Sequence, residues 1–447
     1  MLHDSYGNEV DTDNAATVAA LDRFARSFLA YGKDFAVIFE AAADDPDCLL
    51  ARTQAALLGL FMESNSGLAL AKEHLEAGQA LVTTGAGTER ERLYFRAVEA
   101  AARADATNAT ALHEEIADRW PRDLFAAKLG QIHYFNVGDA AGMRRIAQKT
   151  FDAHGETAYA WGLLAFGLEE CGELDEAERV GRRAAEMTEV EPWAHHAVAH
   201  VYETRGDLAG GIAWMEDRAH TWRDCNSFMF THNWWHVALF YLDQGDTDQA
   251  LRVYDTRLWG APQGDRAYSQ DQAGAVSMLI RLSLRELALD WRWSDVADEI
   301  IKREVMYDQP FLTAHYAYAL ARSERRTAYE HFLQGLHDHA GTAGAASAPL
   351  RHMWLAHALP LCRGMGAHAD NDFAMAATLL GETRPHWRAM GGSHAQRDLF
   401  EQMYLDALIR AGRAAEALPI LVARAAARPG VAAHAAQLAA AMSATRL

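Results

Sequence analysis

Two short stretches in the middle of the chain place histidines four residues apart. One holds His196 and His200, with Glu203 one turn further on; the other holds His232 and His236. On a helix, positions i, i+4 and i+7 share a face, so each stretch would present its polar groups in one direction. Three chemistries fit such a stripe. The histidines can be buried and hydrogen-bonded as part of the core. They can serve with Glu203 as acids and bases toward a small molecule, in a hydrolase or lyase whose catalytic set is His196, His200, Glu203, His232 and His236. They can also hold a divalent metal (Zn, Mn or Fe) through His196, His200, His232 and His236. The His-Glu-x-x-His form of the metalloproteases is absent, as are the GxSxG nucleophile turn and the GxxxxGK[ST] and GxGxxG phosphate loops.

Something must position these groups, and composition bounds what that is. The chain has 447 residues, half of them hydrophobic, with only 10 prolines, which suits a large packed core. Lys and Arg total 42 against 61 Asp and Glu, for a net charge of −19, which argues against a nucleic-acid partner and against an anionic membrane surface. The segment Met1–Ser5 has no basic or apolar character of the secretory kind, and no apolar run is long enough to span a bilayer. The four cysteines, Cys48, Cys171, Cys225 and Cys362, form no CxxC pair and read as free thiols of a reducing, cytoplasmic setting.

Apolar residues recur at helical spacing almost throughout, and no strand alternation stands out. The punctuation is a glycine followed by an acidic or small residue and then a second helix. Gly138-Asp139, Gly172-Glu173 and Gly206-Asp207 fall 34 residues apart, Gly245-Asp246 follows slightly later, and Gly412-Arg413 repeats the form near the end. Five residues after the glycine stands a small side chain (Ala177, Gly211, Ala250, Ala417), with Met143 as the exception. That period and punctuation are tetratricopeptide features. The fold expected is therefore all-α, a tetratricopeptide-type solenoid of helical hairpins able to curl toward a nearly closed ring around a central groove. The whole of 1–447 reads as one repeat domain, clearest over 122–258, degenerate over 10–121 and 260–425, with 426–447 as a capping helix. Pro46, Pro121, Pro192 and Pro429 mark expected helix starts, and Ala340–Pro349 reads as a flexible connection.

Three motifs in order carry a family resemblance. They are His196-x-Val198-Ala199-His200-x-x-Glu203, then His232-Asn233-x-Trp235-His236-x-Ala238-Leu239 with Tyr254-Asp255-Thr256 after it, then Gly391-Gly392-Ser393-His394-Ala395-Gln396-Arg397-Asp398. Together they resemble the tetratricopeptide repeat protein 38 family and its bacterial relatives over most of the chain, least in the first hundred residues. His394 stands at a variable place of the third motif. The resemblance implies an all-helical repeat fold and carries no settled mechanism.

Adjacent first helices of such repeats pack roughly 8–10 Å apart, close enough for side chains of both to converge. Substrate-binding candidates along them are His133, Glu170, Trp235 and His315. Ser393, His394, Arg397 and Asp398 join these, because the glycine-led helix start can bind an anion and Arg397 can grip a carboxylate or phosphate. Equally, Ser393 can simply cap the helix while Arg397 and Asp398 pair internally. His352 and His357, five residues apart, miss a common α-helical face. A small-molecule ligand suits the His, Trp and Tyr of the first helices, whereas a non-catalytic adaptor holding a peptide or protein partner would ordinarily offer Asn, Lys and Arg there. The acidic surface and Ala-rich terminal helices also allow a homodimer.

Overall fold

The structure is a computed structural model describing residues 1–307, 309–323, 325–342 and 348–445. Of the expected connection Ala340–Pro349, residues 343–347 lie outside the described residues. Apart from a two-residue antiparallel pairing of Leu2–His3 with Glu9–Val10, the regular structure described is helical. Consecutive helices form hairpins, and each hairpin packs against its neighbours in the tetratricopeptide manner. Among the described residues, no helix is long and apolar enough to cross a membrane.

The expected hairpins are present. Leu124–Asn136 turns back into Ala140–His154, Ala158–Glu170 into Leu174–Met187, Pro192–Arg205 into Leu208–Arg218, and Ser227–Gln244 into Thr247–Val253. Gly138, Gly172, Gly206 and Gly245 all take positive φ, between 73° and 89°. This left-handed residue lets the next amide bond back to a carbonyl five residues earlier, as Asp139 does to Tyr134 at 2.9 Å and Asp207 to Tyr202 at 3.0 Å. The same acidic residue then caps the second helix: the carboxylates of Asp139, Asp207 and Asp246 accept from the amides of Gly142, Gly210 and Gln249. The small residue beyond lets this second helix touch a neighbour, which at Gly211 is the first helix of the next hairpin, Ser227–Gln244. A methyl group on Gly211 would sit 2.3 Å from the Phe240 ring, and Ala177, Ala250 and Ala417 are fully buried. Met143, the exception, is buried as core.

The degenerate regions use the same turn without its marker. Glu89–Ala102 pairs with Ala106–Arg119 through Ala104 (φ 55°), and Leu359–Ala369 with Phe373–Thr383 through Asn371 (φ 63°). Asp105 bonds back to Ala100 at 2.9 Å and Asp372 to Ala367 at 2.8 Å, and both acids cap the following helix. Among the prolines, Pro192 opens its helix, while Pro46, Pro121 and Pro429 stand in the turns before the helices they announce. The segment Trp354–Ala358 is a π-turn, whose i→i+5 bonding brings residues five apart onto one side. The rings of His352 and His357 consequently lie 5.2 Å apart, against the expectation from α-helical spacing.

The chain divides into two compact units, Met1–Val198 with Asp224–Asn226, and Ala199–Arg223 with Ser227–Leu447. The first is built on a phenylalanine cluster, with Phe24, Phe28 and Phe125 in edge-on contact. The second has a core running from Trp235 through Trp293 and Tyr316 to Phe400 and Leu421.

The turn geometry has a measurable consequence. Ala104→Gly relieves a left-handed alanine and is expected to stabilise the protein by about 1 kcal/mol, whereas Gly138→Ala is expected to destabilise it by a similar amount. Equilibrium urea unfolding checks both, and the idea fails if both changes shift stability in the same direction.

Candidate functional site

In the second unit, three helices bring imidazoles together. Pro192–Arg205 supplies His200, Glu203 and Thr204 to it, Ser227–Gln244 supplies His232 and His236, and His394–Arg410 begins with His394. His200 and His236 are completely buried and Glu203 nearly so, while His232 and His394 are half-buried. The His200 ring lies 4.6 Å from that of His236 and 5.0 Å from that of His394, and the rings of His232 and His236 are 5.0 Å apart. Ring nitrogens of His232 and His236 come within 4.8 Å of one another, and so do those of His200 and His394, groupings compatible with metal ligation. Trp235 stacks on His232 at 5.5 Å and 7°, and Phe228 stacks on it at 5.0 Å.

Glu203 Oε2 lies 3.5 Å from His236 Nδ1, close enough for a charge interaction and longer than an ordinary hydrogen bond. Burial alone would raise the Glu203 carboxyl, but His236, Arg428 and His394 outweigh it and hold the group below the ordinary carboxylate value. Burial likewise pushes the His236 imidazole down, against an opposing pull from Glu203, and drives His232 well below its usual range. The resulting state is an ionised carboxylate facing neutral imidazoles.

His394 reaches this cluster because of the glycines before it. Gly391 and Gly392 have φ of 95° and 80°, and a methyl group on Gly392 would lie 2.8 Å from the Phe311 ring. Ser393 then caps the helix in a reciprocal box with Gln396, and the hydroxyl of Thr204 holds His394 Nε2 at 2.9 Å. Arg397 donates to the Gly392 carbonyl, and Asp398 pairs with Arg424 at 2.6 Å in place of the internal Arg397–Asp398 pair. Although burial raises the Asp398 carboxyl, Arg424 and Arg281 hold it far below the carboxylate range.

Of the other candidates in this unit, Trp235 lines the cluster and His315 stands in dry core. His315 Nδ1 contacts the Phe311 carbonyl at 2.8 Å, its ring packs on Phe311 and Phe400, and burial lowers it to about 4. In the first unit, His196 is buried and stacks on Trp193 at 4.5 Å, with Phe166 at 5.3 Å. His133 stacks on His113 at 5.4 Å, and burial lowers it to about 4. Glu170 ends the helix Ala158–Glu170 half-buried, beside the buried Glu169.

Sequence reasoning passed over Arg281. It is fully buried, lies 5.2 Å over the Trp235 ring, and donates to the Ala395 carbonyl at 2.9 Å and to Ser277. Burial lowers it to about 10, while Asp398 and Glu203 pull the other way. The signal was an arginine inside the apolar run Met278-Leu279-Ile280-Arg281-Leu282. Asp243 and Arg428, paired at 2.8 Å, were also missed; 185 residues separate them in sequence.

No family model matches the chain. Among solved structures it is similar to the human IFIT1 dimer with m7Gppp-AAAA, at 14% identity and a TM-score of 0.39 over 98% of this chain and 91% of that one. It is also similar to Naa15/Naa10 bound to HypK-THB, at 12% identity and a TM-score of 0.24 over 90% and 67% of the two chains.

The buried histidines set a pH dependence. Burial lowers His133 and His315 from 6.5 to about 4, and His232 and His236 in the same direction. Above pH 6.5 both folded and unfolded chains hold these rings neutral. Below it the unfolded chain takes up protons that the folded chain refuses until about pH 4, so stability falls across that window. The urea midpoint is expected to hold from pH 7.5 to 6.5 and to drop from there to pH 5; a flat profile below pH 6.5 would contradict these assignments.

Proposed function

We propose that the cluster of His200, Glu203, His232, His236 and His394 is the catalytic centre of a small-molecule hydrolase or lyase. The observation that carries this reading is the buried, ionised Glu203 facing Nδ1 of the buried, neutral His236. A carboxylate at Nδ1 favours the tautomer with its hydrogen there, which puts the lone pair on Nε2, where a general base takes its proton. The imidazolium formed in that step is stabilised by the same carboxylate. His200 and His394, close to His236 and to each other, complete an acid–base pair: one of them can return a proton to a leaving group. Half-buried His232 and His394 form the solvent side of the centre, and the stacked face of His232 and Trp235 offers a flat wall to a ligand.

The donor set also suits a borderline divalent ion such as Zn, Mn or Fe. Burial favours the neutral, ligating form of imidazole, and a carboxylate behind a histidine is the usual support of a metal ligand. Either His232 with His236, or His200 with His394, would supply ligands to the ion. When bound, it would lower the pKa of a water molecule toward neutrality. The protein's own groups then hold the reacting atoms and accept the displaced proton. Membership of the tetratricopeptide repeat protein 38 family belongs to this proposal and rests on the three sequence motifs.

Metal content of protein purified without nickel or chelator, by elemental mass spectrometry, separates the two modes: close to one equivalent is expected for the metal-assisted one. Against a panel of activated esters, amides and phosphoesters and small lyase substrates, Glu203→Gln is expected to lower turnover by about 100-fold. His236→Ala should abolish it, with the helical circular dichroism signal intact in both. Full activity in Glu203→Gln would remove the acid–base reading. Unfolding of both variants, with no turnover in the wild type, would make the cluster structural.

A further inference from the structure

The first unit buries a second titratable group, apart from the histidines. The chain uses arginine 37 times and lysine five times. Lys33, Lys72 and Lys302 are exposed, and Lys149 is ion-paired to Glu114 and Asp118. Lys128, on the helix Leu124–Asn136, is the exception: it is only 2% exposed. Among the described residues it makes no salt bridge. Its Nζ lies 3.9 Å over the Trp193 ring and 4.8 Å over the Tyr31 ring, and donates to the Tyr31 hydroxyl at 2.8 Å. Tyr31 and Trp193 stack at 5.3 Å and are each half-exposed, so the amine lies one side chain's depth below the surface.

Two neighbouring features are specialised for this arrangement. Tyr31 is held at φ 54°, a conformation unfavourable for an aromatic residue, with its carbonyl accepting from the Asn226 amide at 2.6 Å. The buried carboxyl of Glu191 caps the helix Pro192–Arg205 by accepting from the Ala194 amide at 2.9 Å. It occupies space that a methyl group on Gly162 would close, 2.4 Å from Glu191 Oε1. Burial raises Glu191 to about 7, and burial lowers the Lys128 amine to about 7. An arginine here would stay charged; a lysine can be a neutral amine, which is what distinguishes the two residues chemically. Glu191 and the two ring faces favour the charged amine, and burial outweighs the pull of Glu191.

We propose that Lys128 is a carbonyl-reactive amine that forms a Schiff base with a small uncharged aldehyde or ketone reaching it past the partly exposed rings of Tyr31 and Trp193. The Nζ lone pair attacks the carbonyl carbon to give a carbinolamine. The Tyr31 hydroxyl relays a proton from nitrogen to the former carbonyl oxygen. Loss of water then leaves the C=N bond, so that amine plus carbonyl gives imine plus water with no change of oxidation state. The aromatic walls favour an uncharged, partly apolar substituent, and the Glu191 carboxyl disfavours an anionic one. This site is independent of the histidine cluster.

The test starts from the unaltered chain. Full-length protein is incubated with acetaldehyde and cyanoborohydride at a series of pH values, and adducts are located by peptide mass spectrometry. At pH 7, Lys128 is expected to be labelled about tenfold faster than Lys33, Lys72 or Lys302, because an exposed lysine is almost wholly protonated there. Its labelling should level off above neutral pH, while that of the exposed lysines keeps rising. Lys128→Arg, checked for folding by circular dichroism, should lose the fast adduct alone. Lys128 left unlabelled, or labelled no faster than the exposed lysines, overturns the proposal.

Discussion

A helical hairpin has too little interior to bury its own apolar faces, and that constraint shapes the rest of this protein. Two helices must come close enough to share a core, and each pair must lend its remaining apolar face to the next. Close approach needs a side chain that is nearly absent, as at Gly211 against Phe240 or at buried Ala177 and Ala250. It also needs a turn tight enough to reverse the chain in a few residues, which the left-handed residue and its acidic successor provide. Once hairpins stack, first helices stand side by side, and whatever polar groups they carry on that side face one another. The histidine cluster of the second unit is a consequence of that geometry acting on particular residues.

Those residues are expensive to bury. Each enclosed imidazole gives up its charged form, and an enclosed carboxylate must be compensated. Glu203 is kept ionised by His236, Arg428 and His394, and Asp398 by Arg424 and Arg281. Arg428 is in turn paired to Asp243. The last hairpins of the chain thus supply cations to acids from its middle. A core designed for stability alone would replace this network with hydrocarbon, and its presence is the physical reason to associate the cluster with chemistry. Lys128 makes the same argument in the first unit by a different route. There the group is a buried amine, enclosed by aromatic faces that suit a cation and do not require one.

Glycine-marked turns made the hairpins legible: Gly138, Gly172, Gly206 and Gly245 announced their reversals because a left-handed conformation is easiest for glycine. Ala104 and Asn371 make the same reversal with the same back-bond and the same acidic cap, but alanine carries no signal of φ above zero and asparagine a weaker one than glycine. The pairing of His352 with His357 was misjudged for a related reason: α-helical spacing does not apply inside a π-turn. Spacing did place His232 beside His236, and the glycines before Ser393 did mark a capped helix start.

The sequence by itself determined what each hairpin is and which face of each first helix carries imidazole, because turn chemistry and helical periodicity act over a few residues. Tertiary structure alone decided that His394 would lie against His200, that Arg281 would be sealed above Trp235, and that Lys128 would lose its water between Tyr31 and Trp193. Those outcomes depend on how far each hairpin rotates against the next, a sum of many small packing contacts between residues far apart in the chain, and no local pattern encodes it.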